Sequence, residues 1–308
     1  MKLEKHVDIL ILGAGCAGLT AGIYAARAGR KALILEKGLP GGQAALTAVI
    51  DNYPGLPGID GVSLIQKMEQ QAKQCGAEIL CTGVLNVDLA EKRVITEAGV
   101  FTADALILAT GAEPKELGIP RETQFRGKGV SYCATCDGQF YRGKDIYVVG
   151  GGNSAGEEAL HLARLGRRVF LLVRKRELRC DAAIRERVLN HPKIQVLFHH
   201  TLAEIRGTET MESLVIQNTE TGESTPVPAE GCGVFIFIGY RPASQPFAGA
   251  VETDEGGYVT TDEDLQTNLP GVFAAGDVRH KELRQIVTAV ADGAIAGVGA
   301  CKFLSAML

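Results

Sequence analysis

Two stretches of the 308-residue chain repeat one pattern of apolar runs and glycine turns. The first, DILILGAGCAGLTAGIYAARAGRKALILEK, begins at Asp8; the second, DIYVVGGGNSAGEEALHLARLGRRVFLLVR, begins at Asp145, 137 residues on and without a gap. In each, a β-branched apolar run predicts a strand buried in a parallel sheet. A glycine turn follows, then an alanine- and leucine-rich stretch with helical periodicity. A Gly-basic turn (Gly29-Arg30, Gly166-Arg167) and a second apolar strand complete a βαβ unit. Two more apolar runs end in small-residue turns: ALILATGAEP (105–114), at Ala109-Thr110-Gly111, and GVFAAGDV (271–278), at Gly276-Asp277. The predicted fold is α/β, with two Rossmann-like dinucleotide-binding domains, each three-layered, the second inserted into the first. Residues 1–112 and 245–308 form the discontinuous outer domain, and residues 116–241 form the insert. Pro114, Pro120, Pro242 and Pro246 punctuate the two crossings.

The repeated glycines have distinct tasks. The first of each motif, Gly13 or Gly150, permits a tight turn. The second, Gly15 or Gly152, lets the backbone approach a pyrophosphate; the third position, Gly18 or Ala155, must be small for helix and strand to pack. The pyrophosphate then faces a helix N-terminus, where free N–H groups and the helix dipole favour anions. Counting 23 residues from the first glycine separates the two ligands. In the first copy it reaches Glu36, a carboxylate suited to a ribose diol and repulsive to a 2′-phosphate. In the second it reaches Val173, followed at once by Arg174, Lys175, Arg176 and Arg179, cations suited to a 2′-phosphate. The first site reads as FAD or NAD and the second as NADP. Pro40-Gly41-Gly42-Gln43 is a sharp glycine turn able to bring backbone close to a flat ring, Asp51-Asn52-Tyr53-Pro54-Gly55 is another polar turn, and Asp277 could hold a ribityl or ribose hydroxyl.

Composition narrows the function classes. The net charge is −4 and there is no Trp, so neither a basic field nor a base-stacking platform invites nucleic acid. No apolar stretch approaches the ~20 residues needed to span a bilayer, and the N-terminal run is broken too early for a signal peptide; a cytoplasmic protein is expected. Of eight cysteines only Cys133 and Cys136 have motif spacing, and the other six are expected to be small buried hydrophobes. Zinc would need about four ligands; no second C-x-x-C exists, so no metal site is expected.

SYCATCDG, just before the second glycine motif, resembles the low-molecular-weight, bacterial-type thioredoxin reductases, a class of FAD-containing pyridine nucleotide-disulfide oxidoreductases. The resemblance runs nearly the full length. It includes Gly13, Gly15 and Gly18; Gly41-Gly42-Gln43; Ala109-Thr110-Gly111; Gly150, Gly152 and Ala155; the run from Gln266 to Asp277; and Arg284-Gln285. It implies FAD, NADPH, a homodimer and thioredoxin as disulfide substrate. It also implies that Cys136 is the sulfur nearest the flavin, that Cys133 attacks the partner's disulfide, and that Asp137 is the acid or base. It further marks Ala17, Asn52, Val84 and Ile286 for the flavin site and Asn153 and Ser154 for the nicotinamide site. The chain departs from the family's H-R-R-x-x-x-R signature: Val173 replaces the histidine, Lys175 the second arginine, and Arg176 a common aspartate, while Arg174 and Arg179 match. Gly156 stands where a larger aliphatic is usual. Alternatives are therefore a relative reduced by ferredoxin, one carrying a second flavin in place of NADPH, or a dithiol oxidase.

Overall fold

The computed structural model describes residues 3–47, 50 and 52–307. The chain divides into two compact units, residues 1–113 with 241–308, and residues 114–240. The outer unit opens on the first repeat: β1 (Leu3–Leu12), α1 (Cys16–Arg27) and β2 (Ala32–Glu36). It continues through α2 (Gly61–Cys75), β3 (Glu78–Cys81), the hairpin β4 (Val84–Asp88) and β5 (Arg93–Thr96), and the long β6 (Gly99–Leu108). After β7 (Ala112–Pro114) the inserted unit contributes β8 (Val130–Ser131), α3 (Ala134–Asp137), β9 (Asp145–Val149), α4 (Asn153–Leu165), β10 (Arg168–Val173), α5 (Ala182–Leu189) and β11 (Ile194–Phe198). The strands β12 (His200–Gly207), β13 (Met211–Asn218), β14 (Ser224–Pro228) and β15 (Gly233–Ile236) complete it. β16 (Tyr240–Pro242) leads back to β17 (Val272–Ala274) and α6 (Ile286–Ala306).

In the outer unit, β3-β2-β1-β6-β17 are parallel, and the N-terminal half of β6 pairs antiparallel with β5. Alternation along β1 explains its burial on both faces. Ile9 and Ile11 join α1 and α6 in one core, while Leu10 and Leu12 join Phe247, Val251 and Val259 in another. The inserted unit has an all-parallel sheet, β11-β10-β9-β15-β8. Ile146 and Val148 of β9 face the helices, and Tyr147 and Val149 face the antiparallel sheet β12-β13-β14.

Two expectations need correction. Ile286–Ala306 is, by length and composition, long and apolar enough to cross a membrane. Counting uninterrupted apolar residues missed it because Asp292 breaks the run. It packs on α1: a Cβ on Gly293 would lie 2.2 Å from Ala17 O, and one on Gly297 2.9 Å from Ala21 O. The six cysteines outside the motif are also not uniformly buried. Cys16 and Cys180 are, but Cys75, Cys232 and Cys301 are half-buried and Cys81 is exposed. Cys81 ends the edge strand β3 and donates its S–H to Gly38 O at 3.2 Å.

Candidate active site

In the outer unit the glycine turn is held on three sides. Gly13 takes φ +106°, and a Cβ there would lie 2.4 Å from Ala109 O, so the turn seats against the Ala109-Thr110-Gly111 segment. A Cβ on Gly18 would meet Gly13 O at 1.8 Å. Gly15 differs: nothing lies within 4 Å of its Cβ position, and it begins α1 with no side-chain cap. Glu36, at the end of β2, accepts from Ala14 N at 2.8 Å and Gly38 N at 3.2 Å. Gly41 N donates to Ala14 O at 2.9 Å, and Gly42 approaches Gly15. Gln43 donates to Ala112 O, and Thr110 Oγ1 to Ala243 O at 2.7 Å. Thr82, two residues before the half-exposed Val84, donates its N–H to Glu36 O at 2.7 Å.

The C-terminal site residues meet the same turn. Gly276 packs on Ala17, where a Cβ would come within 2.9 Å of the alanine methyl. Gln285 caps α6 immediately before Ile286, and its Oε1 accepts from Asn52 Nδ2 at 2.9 Å. Asp51 of the same predicted turn lies outside the described residues. Partial burial of Asp277 raises its carboxyl pKa against the opposing pull of Lys281 and Arg284. Cys16, beneath the turn, is pushed up to about 12 by burial and by the Asp277 charge. Sequence reading missed Lys281 and Asp292. Lys281 Nζ lies 3.0 Å from Asp292 Oδ2 and 3.5 Å from Asp277 Oδ1, and Asp292 accepts Gly276 N at 3.0 Å. This buried network fixes the Gly276-Asp277 turn. Its signal was an aspartate inside an otherwise apolar helix.

In the inserted unit, Gly150 takes φ +152°, and a Cβ there would lie 2.3 Å from Phe237 O and 2.7 Å from the Ala155 methyl. Gly152, like Gly15, faces open space and begins its helix without a side-chain cap. Val173 is buried against Gly151. The basic segment after it is anchored by its backbone: Arg179 N donates to Gly151 O at 2.7 Å, and Arg174 O accepts from Thr219 Oγ1 at 3.0 Å. Among the described residues, no carboxylate pairs with Arg174, Lys175, Arg176 or Arg179. Ser154 is exposed on the first turn of α4. Asn153 is engaged with Asp181, donating to Oδ2 at 3.1 Å and accepting from Asp181 N at 2.8 Å.

Cys133 and Cys136 form a disulfide across a Cα–Cα distance of 5.3 Å. Cys133 caps the single turn α3, its Sγ accepting from Cys136 N at 3.2 Å, and both residues are half-buried. Asp137 closes the turn, its N–H donating to Cys133 O at 3.1 Å. Burial raises its carboxyl pKa, and the hydroxyl of Ser131, 2.6 Å away, works against that rise. Tyr132, just before the motif, is tied down at both ends. Its hydroxyl donates to Glu122 Oε1 at 2.7 Å and its carbonyl accepts from Tyr240 Oη at 3.0 Å. Glu122, itself buried, also accepts from the backbone N–H groups of Leu117, Gly118 and Ile119. The dithiol turn thus hangs from a fixed strand.

A family model described as pyridine nucleotide-disulphide oxidoreductase matches residues 7–293. The chain belongs to that family. It is 46% identical to a thioredoxin reductase of Peptoclostridium litorale over 98% of this chain and 98% of that protein. It is 45% identical to a thioredoxin reductase of Peptoclostridium acidaminophilum over 99% of each. Its backbone is similar to the crystal structure of a thioredoxin reductase from Streptococcus pyogenes MGAS5005, with a TM-score of 0.89 and 39% identity, covering 98% of this chain and 99% of that one. Pyridine nucleotide-disulphide oxidoreductases work with a flavin and a pyridine nucleotide. The residues present fit such ligands. Two uncapped helix N-termini follow glycines that face open space. Among the described residues, the buried Arg284 Nε has no hydrogen-bond partner and Asp277 Oδ1 has only its 3.5 Å ion pair with Lys281, while the Arg284 guanidinium stacks 4.1 Å from the Tyr258 ring. Buried polar atoms left without a full set of partners are compatible with a polar ligand.

Proposed function

We propose that the protein is an NADPH-dependent thioredoxin reductase, with FAD in the outer unit and NADPH in the insert. The observation that carries this reading is a half-exposed Cys133–Cys136 disulfide in the unit bearing the second glycine loop and a basic segment that has no carboxylate partner among the described residues. FAD, when bound, relays an electron pair from the nicotinamide to this disulfide. Gly13, Gly15, Gly18, Glu36, Thr110, Gly111, Gly276, Asp277, Arg284 and Gln285 serve the flavin nucleotide, and Gly150, Gly152, Ala155, Arg174, Lys175 and Arg179 the NADPH. In the reduced protein the Cys133 thiolate attacks one sulfur of the thioredoxin disulfide, and the other sulfur leaves with the bonding pair. Cys136 then attacks Cys133 Sγ. The intramolecular disulfide re-forms and thioredoxin departs as a dithiol, having gained two electrons and two protons. Asp137 exchanges the proton at the leaving sulfur. Exposed Tyr24, Ile295 and Val298 on α1 and α6 support a homodimer formed through that face.

Anaerobic mixing with NADPH, NADH and reduced ferredoxin in turn tests the donor. Flavin bleaching by NADPH, followed by stoichiometric reduction of thioredoxin, is the expected result. Bleaching by ferredoxin alone overturns the donor assignment, and bleaching without thioredoxin reduction overturns the acceptor.

A further inference from the structure

One buried hydroxyl links both ends of the cysteine turn. Ser131, the second residue of β8, is 5% exposed. Its Oγ accepts from Cys133 N at 3.1 Å and lies 2.6 Å from Asp137 Oδ2 and 3.2 Å from Cys133 O. The Asp137 N–H returns to Cys133 O at 3.1 Å, which closes a ring around the turn. A serine hydroxyl has one proton to give and two lone pairs to accept with. When Asp137 is ionised, that proton goes to its carboxylate, the shorter contact. When Asp137 is protonated, the carboxyl O–H donates to Ser131 Oγ, and the serine proton rotates to Cys133 O. Both protonation states are then satisfied without moving a heavy atom. An alanine would leave the ionised carboxylate without its one side-chain donor and the Cys133 N–H without its acceptor.

We propose that Ser131 is a positioning residue for dithiol–disulfide exchange: its hydroxyl holds the Asp137 carboxyl against the Cys133–Cys136 turn and lets it gain and lose a proton in place. This rests on the reading of Asp137 as the group that exchanges the sulfur's proton. The proton that moves belongs to Asp137 and the leaving sulfur; the serine proton only rotates.

Several titratable groups lie on elements packed against the turn. Tyr141 follows it and is pushed up to about 12 by burial and then by the Asp137 charge. Helix α4, packed on α3, carries Glu157, Glu158, His161 and Arg164. Burial and the neighbouring Glu157 raise Glu158 to about 7. Tyr132 and Glu122 lie on the strand side. None of these perturbs Asp137 as burial and Ser131 do. A test must nonetheless separate Asp137 from Glu158.

The experiment compares the flavin-loaded parent with Ser131→Ala, Ser131→Thr, Asp137→Asn and the double variant Ser131→Ala/Asp137→Asn. The readouts are the pH profile of thioredoxin reduction, the pH profile of alkylation of the reduced dithiol by iodoacetamide, and the thermal midpoint. Losing a hydrogen bond to the ionised form raises the carboxyl pKa. In Ser131→Ala the limb that Asp137→Asn abolishes therefore moves to higher pH by about one unit, tenfold in the protonation equilibrium. Turnover falls about tenfold at neutral pH, with KM for thioredoxin within about twofold. Ser131→Thr, which keeps the hydroxyl, restores the limb, and Ser131→Ala adds nothing in the Asp137→Asn background. If Ser131→Ala has the same effect in both backgrounds, or leaves the limb in place, the proposal is wrong while the role of Asp137 stands. If Asp137→Asn leaves both profiles unchanged, the Asp137 reading and the proposal fall together.

Discussion

Replacing Gly152 by alanine should separate nucleotide binding from folding. Its backbone, φ −95° and ψ −173°, is open to any residue, and beyond its own chain neighbours its added methyl group would meet nothing within 4 Å. Alanine at this helix-capping position should therefore change stability by no more than about 1 kcal/mol. If the proposed nucleotide site is right, the same methyl occupies the approach that its pyrophosphate needs to reach the first N–H groups of α4. Losing one such charge-assisted hydrogen bond costs about 1.5–3 kcal/mol, or roughly 10- to 150-fold in affinity. Gly150→Ala is the control with the opposite expectation. There φ is +152° and the methyl would lie 2.3 Å from Phe237 O. Strain and overpacking should together cost the fold about 2–5 kcal/mol. The assay is anaerobic rapid mixing with NADPH, reading the concentration dependence of flavin bleaching, alongside the thermal midpoint of each variant. A Gly152→Ala protein that melts like the parent and binds NADPH within about twofold of it would refute the argument that this loop brings backbone to phosphate.

Other changes probe the remaining chemistry. Arg174→Glu with Arg179→Glu should raise KM for NADPH at least about tenfold, with a much smaller effect on NADH, in steady-state assays with both donors; equal effects would remove the 2′-phosphate from the argument. Cys136→Ser should leave Cys133 able to trap a mixed disulfide with thioredoxin on a non-reducing gel, and Cys133→Ser should not; the reverse pattern would exchange their roles. Asp145, forked by Arg167 and Arg168 at 2.8 Å each, has its carboxyl pKa lowered from 3.8 to about 2. A depressed carboxylate contributes stability above its unfolded pKa and loses it as pH falls through the folded one. Asp145→Asn should therefore cost about 1 kcal/mol at neutral pH, the full shift being discounted because both guanidinium groups are largely solvated. In denaturant titrations that difference should shrink as pH falls from about 4 to 2; a pH-independent difference would contradict the ion-pair origin.

The repeat was legible because buried parallel strands and glycine turns write themselves into sequence without help from distant residues. Glu36 and Val173 could be located by counting from Gly13 and Gly150, since the βαβ unit fixes the distance along the chain. What stayed hidden depends on contacts between separated segments. The hairpin Val84–Thr96 and the sheet β12-β13-β14 are made of half-exposed or irregularly alternating strands with no motif to announce them. Lys281 and Asp292 meet only because α6 folds back past the Gly276 turn. Ser131 has no spacing signature; its part is visible only once β8 lies beside the α3 turn. Glu122 looks like an ordinary surface residue until three backbone N–H groups and Tyr132 converge on it.

Gly156 bears on where donor preference should be sought. Among the departures from the family pattern it alone lies in the helix after the second glycine loop, and a missing side chain there suggests a widened nicotinamide pocket. The space is not vacant. A Cβ on Gly156 would lie 2.6 Å from Ile184 Cγ2, with Cys180 Sγ and Val188 Cγ2 at 3.7 Å. Ile184 and Val188 of helix α5 border the volume that a larger residue on α4 would fill, and Val188 is fully buried. The substitution is thus a packing exchange between two helices. It leaves the turn at Gly150 and Gly152, proposed here to face the nucleotide, with the same geometry as its counterpart at Gly13 and Gly15: a left-handed first glycine pressed on a carbonyl, then a second facing open space. On the proposed reading, discrimination among electron donors falls to the segment after Val173, where four cations stand with no carboxylate partner among the described residues. Mutations in that segment, rather than at position 156, are the ones expected to change what reduces this protein.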